Sequence, residues 1–270
     1  MSVKFTNTEF PDIVELKNIQ QSYDNGKSYV IKDLDFLVED KPNTGQFVVI
    51  LGPSGCGKST ILRYIAGLQH PTSGEVLIRA KKRVEADRIG MVFQQYSSFP
   101  WMSVLDNVSL GLKFKGTSKE ERDEKAMKML EVVGLKGHEY KFAQYPTLSG
   151  GQLQRVAIAR SLLVNQDIIL MDEPFGALDT KTRLSMQDLV IKIWEQVHPT
   201  IILVTHDISE AVYLADDILI MSNAPANFIE HIQVNLPPLR ERSIKRDPNF
   251  VDLVHYIEDK MMKLDSKNEE

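Results

Sequence analysis

Short runs that are apolar throughout alternate along the chain with longer stretches of helical periodicity. Phe47-Val48-Val49-Ile50-Leu51, Ile168-Ile169-Leu170-Met171 and Ile201-Ile202-Leu203-Val204-Thr205 read as buried strands. Further strands are predicted at 75–78, 89–93 and 218–221. Residues 13–19 alternate instead (Ile13, Glu15, Leu16, Lys17, Ile19), the pattern of a half-exposed strand in an antiparallel layer. After the turn Asp24-Asn25-Gly26, a second such strand, 31–38, leads through Pro42-Asn43-Thr44-Gly45 into the apolar run at 47–51. A helix follows that run and stops at Gly67. Ser118-Lys119-Glu120-Glu121 has the capping-box form and predicts a helix to about Val133, ended by Gly134. Helices are also expected at 153–164, 180–197, 209–215 and about 250–263, the last preceded by a hairpin-like pair. Residues 1–12 read as a loose N-terminus. Because 94–165 contain no strand pattern, they read as a helical lobe inserted into an α/β core. Strands alternating with helices imply a mainly parallel sheet with its ligand at the strand C-termini.

Composition narrows the class without naming a function. The chain of 270 residues is 43% hydrophobic and 26% charged, ordinary for one large α/β domain or a core with an attached lobe. A net charge of −5 argues against a nucleic-acid surface but not against a nucleotide pocket. No apolar run approaches the roughly 20 residues of a membrane span, and no signal-peptide pattern opens the chain. One cysteine, Cys56, excludes an intramolecular disulfide and suits a reducing compartment. A cytosolic protein without its own membrane span is expected.

The chemistry begins at Gly52-Pro53-Ser54-Gly55-Cys56-Gly57-Lys58-Ser59-Thr60. This is the phosphate-binding pattern G-x-x-x-x-G-K-[ST] in its required strand–loop–helix setting. The glycines let successive N–H groups face an anion, the helix N-terminus adds partial positive charge, and Lys58 reaches the outer phosphates. Ser59 offers a hydroxyl to Mg²⁺. A Gly-rich turn matching by accident is the plain alternative. The apolar strand 168–171 ends in Asp172 and Glu173, where a carboxylate can hold Mg²⁺ and its neighbour can polarise a water. By itself, a strand ending in polar residues says little; downstream of a phosphate loop it points to hydrolysis. Leu148-Ser149-Gly150-Gly151-Gln152 opens a second Gly-rich helix N-terminus. It reads either as a simple cap by Ser149 or as a phosphate-reading surface turned toward another subunit.

Taken in this order, with Gln94, Ala177-Leu178-Asp179 and His206, the chain resembles the ATP-binding cassette ATPases over about residues 13–224. The five-residue signature is matched letter for letter. The resemblance implies a P-loop NTPase core (RecA-like, α/β, mainly parallel sheet) with an antiparallel β layer and an inserted helical subdomain. Residues 13–93 and 166–235 would form the core, 94–165 the signature subdomain and 236–270 a tail with a helix. It implies a head-to-tail dimer sandwiching two ATP molecules. Lys58, Ser59, Gln94, Asp172, Glu173 and His206 come from one subunit, and Ser149, Gly150, Gly151 and Gln152 from the other. Glu173 is then the general base, Ser59, Gln94 and Asp172 the Mg²⁺ ligands, and His206 a donor to the γ-phosphate. Asp179 lies at the dimer seam, and Tyr23 stacks on adenine. Gln95, beside Gln94, competes for its role as plain surface, and Cys56 reads as a filler position whose reactivity alkylation would test.

A hydrolase without a membrane span needs a partner to move a solute. Ser97-Ser98-Phe99-Pro100-Trp101-Met102 is a candidate docking loop for an integral membrane permease, the alternative being core residues of the lobe. The run from Phe93 through Tyr96 to Trp101, followed by Val104-Leu105-Asp106-Asn107-Val108, resembles ATPases of importers for nitrate, sulfonate and taurine. The tail around Leu236-Pro237-Pro238-Leu239-Arg240 is looser, with Leu239 and Pro238 departing from that subfamily. The expectation is therefore a homodimer or paralogue heterodimer on the cytoplasmic face of the cell membrane. A permease pair and an extracytoplasmic binding protein would work with it, and no nucleic acid. An exporter or lipid-transport ATPase shares the same core. A ribosome-acting cassette protein would carry two tandem cassettes, and a small GTPase an N-K-x-D motif that is not found here.

Overall fold

A computed structural model describes residues 12–39, 45–84, 89–95, 97–164, 167–237 and 240–266. Outside them lie the N-terminal stretch before Asp12, Pro42-Asn43-Thr44 of the expected turn, Tyr96, and Pro238 and Leu239 of the tail. The chain forms two compact units, Met1–Ile89 with Thr200–Glu270, and Gly90–Pro199.

In the first unit, β1 (Asp12–Gln21) pairs antiparallel with β2 (Ile31–Glu39) and with β4 (Ser73–Ile78), and β4 with the short β5 (Lys81–Lys82). Ile13, Val14, Leu16 and Ile19 are buried while Lys17 and Asn18 face outward, as expected of a layer with one wet face. The register slips between Lys17 and Gln20, where Asn18 has φ +48°. Opposite that bulge Gly74 has φ +99°, and a Cβ there would sit 2.6 Å from the carbonyl oxygens of Lys17 and Asn18.

β3 (Phe47–Leu51) is buried at all five positions and pairs parallel with β8 (Thr200–Thr205) and β9 (Asp217–Met221). Covered on both faces, these strands read as continuous apolar runs. The expected hairpin-like pair is instead one strand, β10 (Phe228–Gln233), returning antiparallel on β9. A 3₁₀ turn, Arg242–Arg246, follows later in the chain. α1 (Lys58–Ala66) begins inside the phosphate-loop pattern and ends, as expected, at Gly67, φ +68°. Arg83 lies over that end, donating to the carbonyls of Ile65 (3.1 Å) and Ala66 (2.8 Å). α6 (Ile208–Leu214) and α7 (Pro248–Ser266) complete this unit.

The second unit has two parallel strands, β6 (Gly90–Val92), shorter than the expected 89–93, and β7 (Ile168–Asp172). Its helices are α2 (Val104–Phe114), α3 (Lys119–Val132), α4 (Gly150–Leu162) and α5 (Thr180–Val197). Of the capping box expected on α3 only the serine half forms. Ser118 accepts the Glu121 N–H, while the Glu121 carboxylate takes Lys125 at 2.6 Å. An i,i+4 lysine outcompetes the chain's own N-cap amide for that carboxylate.

Gly74→Ala adds a backbone clash to positive-φ strain and should cost about 2–4 kcal/mol of unfolding free energy. Gly137, φ +87° with no atom within 4 Å of a built Cβ, should lose only about 1–2 kcal/mol on the same change. Equal losses in urea titrations would refute the close approach at the bulge.

Candidate active site

Two pairs of neighbouring strand ends carry the expected residues, one pair in each unit. In the first, Leu51 of β3 lies opposite Thr205 of β8, so the loop Gly52–Gly57 and His206 leave from adjacent ends. Gly55 (φ +79°) and Gly57 (φ +105°) take left-handed conformations that curl the loop, and a Cβ on Gly52 would sit 2.9 Å from Met221 Cβ. Gly57 gives α1 no side-chain cap, and the first turn of this helix, whose N-terminus carries partial positive charge, holds Lys58, Ser59 and Thr60. Lys58 is buried and donates from Nζ to the carbonyls of Gly52 (2.8 Å) and Pro53 (2.7 Å), holding the ammonium at the loop's own mouth. A glycine-curled loop at a helix N-terminus and an ammonium resting on neutral carbonyls fit a polyphosphate, whose oxygens are stronger acceptors. Exposed Ser54 and half-buried Pro53 form the outer turn.

His206 is exposed, and the residues beside it are tied down. The Asp207 N–H donates to Thr205 Oγ1 at 3.0 Å, and Asp207 caps α6 by accepting the Glu210 N–H at 2.9 Å. Tyr23, 66% exposed, precedes the turn at Asn25 and Gly26. Asp24 organises that turn, accepting from Ser28 N–H, Ser28 Oγ and Ser22 Oγ at 2.6–2.8 Å. These bonds, those from Ser28 foremost, pull its carboxyl down to about 2.

In the second unit Val92 of β6 lies opposite Met171 of β7. Just beyond these paired ends, Gln94 Nε2 donates to Glu173 Oε2 at 3.2 Å. Asp172 is buried as the last residue of β7. Glu173 turns sharply out of the strand with φ +43°, a conformation costing a non-glycine residue about 1–2 kcal/mol and characteristic of functional turns.

Ser149 is the N-cap of α4 in a complete capping box. Its hydroxyl accepts the Gln152 N–H at 3.3 Å, and Gln152 Oε1 accepts the Ser149 N–H at 2.9 Å. Gly150 opens the helix. Gly151 is buried, and a Cβ there would meet Thr182 Cγ2 at 2.4 Å. The Thr182 N–H is in turn held by Asp179 Oδ1 at 3.1 Å, because Asp179 is the N-cap of α5. The hydrogen bonds from Thr182 lower the Asp179 carboxyl below its ordinary range. Asp179 therefore has a local task, and through Thr182 it adjoins the signature glycine, a contact invisible in linear spacing.

The docking loop is not core: Trp101 is 71% exposed, with the Phe99 ring 5.4 Å from it. Two residues that sequence reasoning missed shape this loop. Asn107, fully buried, accepts the Phe99 N–H at 2.8 Å and donates to the Phe99 and Ser103 carbonyls at 3.0 and 2.9 Å. Arg160 of α4 donates to Ser97 O (2.9 Å) and Ser97 Oγ (2.6 Å). An amide on the buried face of the apolar pattern Val104, Leu105, Val108, Leu112 was the available signal for Asn107.

The family described as ABC transporter matches residues 38–176. The chain is 45% identical over 235 residues to the nitrate import ATP-binding protein NrtD of Synechocystis sp., covering 83% of this chain and 85% of that one. It is 42% identical over 242 residues to the taurine import ATP-binding protein TauB of Escherichia coli O157:H7, covering 87% and 92% respectively. Among solved structures, a dimeric ATP-binding cassette in a post-hydrolysis state with ADP and Pi is similar at TM-score 0.70 and 36% identity. That match spans 83% of this chain and 100% of the other.

Cys56 is 2% exposed, and burial raises its thiol pKa, so the thiolate forms only at higher pH than for a free cysteine. Iodoacetamide at pH 8 should label the native protein at least about 100-fold more slowly than the urea-unfolded chain, followed by mass spectrometry. Comparable rates would show the thiol to be open.

Proposed function

The chain belongs to the ABC transporter family, and from that premise we propose that it is the ATPase subunit of a bacterial importer. It hydrolyses ATP in a head-to-tail dimer to drive uptake of a small anion, of the nitrate, sulfonate or taurine class, through a separate permease. Support for import comes from relatives named as nitrate and taurine import ATP-binding proteins, matched over 85% and 92% of their lengths. Among the described residues no helix is long and apolar enough to cross a membrane, which fits a subunit that docks on a permease at the cytoplasmic face. The substrate would reach that permease from an extracytoplasmic binding protein, and this subunit would not touch it.

In this reading residues 13–93 and 166–235 bind nucleotide, 94–165 carry the signature, and 236–270 form a tail. Lys58 moves its ammonium from the carbonyls of Gly52 and Pro53 to the β- and γ-phosphates, and the amides of Gly55 through Thr60 hold their oxygens. Ser59, Gln94 and Asp172 offer hydroxyl, amide and carboxylate oxygens, a donor set suited to Mg²⁺. The ion, bound with the nucleotide, supplies neutralisation of phosphate charge. Glu173 acts as general base on the attacking water and His206 donates to the γ-phosphate. The observation that carries the hydrolytic assignment is the Gln94–Glu173 bond, which joins the proposed base to the proposed γ-phosphate-sensing amide. Ser149 accepts in its capping box, so its own O–H proton can be given to the γ-phosphate bound by a partner subunit, with the Gly150, Gly151 and Gln152 backbone alongside. Asp179 sits at that seam, and Tyr23 stacks on the base. Trp101 and Phe99 dock on the permease.

Glu173→Gln should retain ATP binding, trap the ATP-bound dimer on size exclusion and lower turnover by about 10²–10⁴-fold. Ordinary turnover would remove Glu173 as the base. Trp101→Ala should weaken assembly with the permease by about 2 kcal/mol or more, with isolated-subunit ATPase activity within about twofold. Undiminished transport by the assembled complex would sink the docking assignment.

A further inference from the structure

We propose that Gln69 is a positioning residue for the nucleotide base, acting through the Tyr23 ring. This rests on the reading of Tyr23 as the base-stacking residue. Every residue from Gln20 to Tyr23 is bonded either to α1 or to the segment that follows it. The Thr72 N–H donates to the Gln20 carbonyl at 2.9 Å. Tyr64 of α1, fully buried, donates its hydroxyl to Gln21 Oε1 at 2.5 Å. Thr72 Oγ1 accepts the Ser22 N–H at 3.0 Å and donates to the Ser22 carbonyl at 3.2 Å. Gln69 Nε2 donates to the Tyr23 hydroxyl at 3.2 Å, and the ring remains 66% exposed.

The last bond differs from the others in what it constrains. The other four hold backbone and a buried side chain, and so define where β1 ends. Gln69 alone among these partners reaches the ring itself, at its hydroxyl edge, leaving the rest of the ring exposed for a base. An exposed tyrosine otherwise turns about two side-chain torsions, and stacking would have to still both. Tethering the edge removes part of that cost before the nucleotide arrives. Gln69 follows the helix whose first turn carries Lys58 and Ser59, so one rigid element sets both the phosphate and the base positions. The tether does not read the base's hydrogen-bonding edges, so it strengthens ATP and GTP alike.

The test compares Gln69→Ala, Tyr23→Phe, the double variant and Tyr23→Ala in the full-length protein. ATP affinity is read by titration, inorganic tripolyphosphate affinity as a control for the phosphate loop, and ATPase kinetics as KM against kcat. Gln69→Ala should weaken ATP by about three- to tenfold and raise KM to match. It should leave kcat within twofold and tripolyphosphate binding unchanged. Tyr23→Phe should do the same, and the double variant no more than either. Unchanged ATP affinity in Gln69→Ala, with a large loss in Tyr23→Ala, would overturn the role of Gln69 and leave the stacking residue standing. An equal loss of ATP and tripolyphosphate in Gln69→Ala would overturn it too, since the damage would then lie in the phosphate loop. Unchanged ATP affinity in Tyr23→Ala would remove the stacking reading, and this inference with it.

Discussion

Parallel register is the constraint from which the catalytic geometry follows. Leu51 opposite Thr205 brings the phosphate loop and His206 out of neighbouring strand ends. Val92 opposite Met171 does the same for Gln94 and Glu173. The strands are buried on both faces, so each residue has one face available for function only where its strand stops. A shift of β6 along β7 by one residue would move Gln94 about 3.3 Å relative to Glu173, enough to break their 3.2 Å bond. Function is concentrated at strand ends because backbone groups there leave the ladder and can turn, as Glu173 does at φ +43°.

Much of this was legible in the chain because the signals were chemical and local. The strands predicted at 47–51, 75–78, 89–93, 168–171, 201–205 and 218–221 all form, and α5 spans the expected residues 180–197 because Asp179 caps it and His198, at φ +53°, ends it. The phosphate loop needs glycine at the positive-φ positions 55 and 57, and no other residue type would write that pattern so plainly. What escaped was long-range. Thr182 lies between Gly151 and Asp179, yet 30 residues of chain separate Gly151 from Thr182 by numbering. Gln69 and Thr72 hold a loop nearly 50 positions earlier, and neither stands in a motif. The expected final hairpin failed for a related reason: the partner of β10 was a strand already assigned to the sheet, so no second new strand was required.

Several expected site residues have tasks in the fold itself. Gly151 is small because Thr182 leaves it no room, and Asp179 is acidic because α5 needs a cap. Lys58 closes its own loop through two carbonyls, which keeps an ammonium buried without an acid that would compete with phosphate. A carboxylate partner would hold the ammonium more tightly and would have to be displaced by the nucleotide. Two neutral carbonyls satisfy the burial requirement and release their donor at smaller cost.

The loop 97–102 shows how side chains of two helices can fix one exposed segment. Arg160 and the signature Ser149 stand on the same helix, 11 residues apart by numbering, or roughly 16 Å of helical rise. At one end α4 presents the serine; near the other, Arg160 grips Ser97, three residues after the amide bonded to Glu173. Asn107 then fastens Phe99 and Ser103 to α2, so the exposed Trp101 between them has little freedom of its own. The segment from Ser97 to Ser103 is therefore fixed to α4 at its start and to α2 at its end, and its largest apolar ring, Trp101, is held out between the two anchors at 71% exposure.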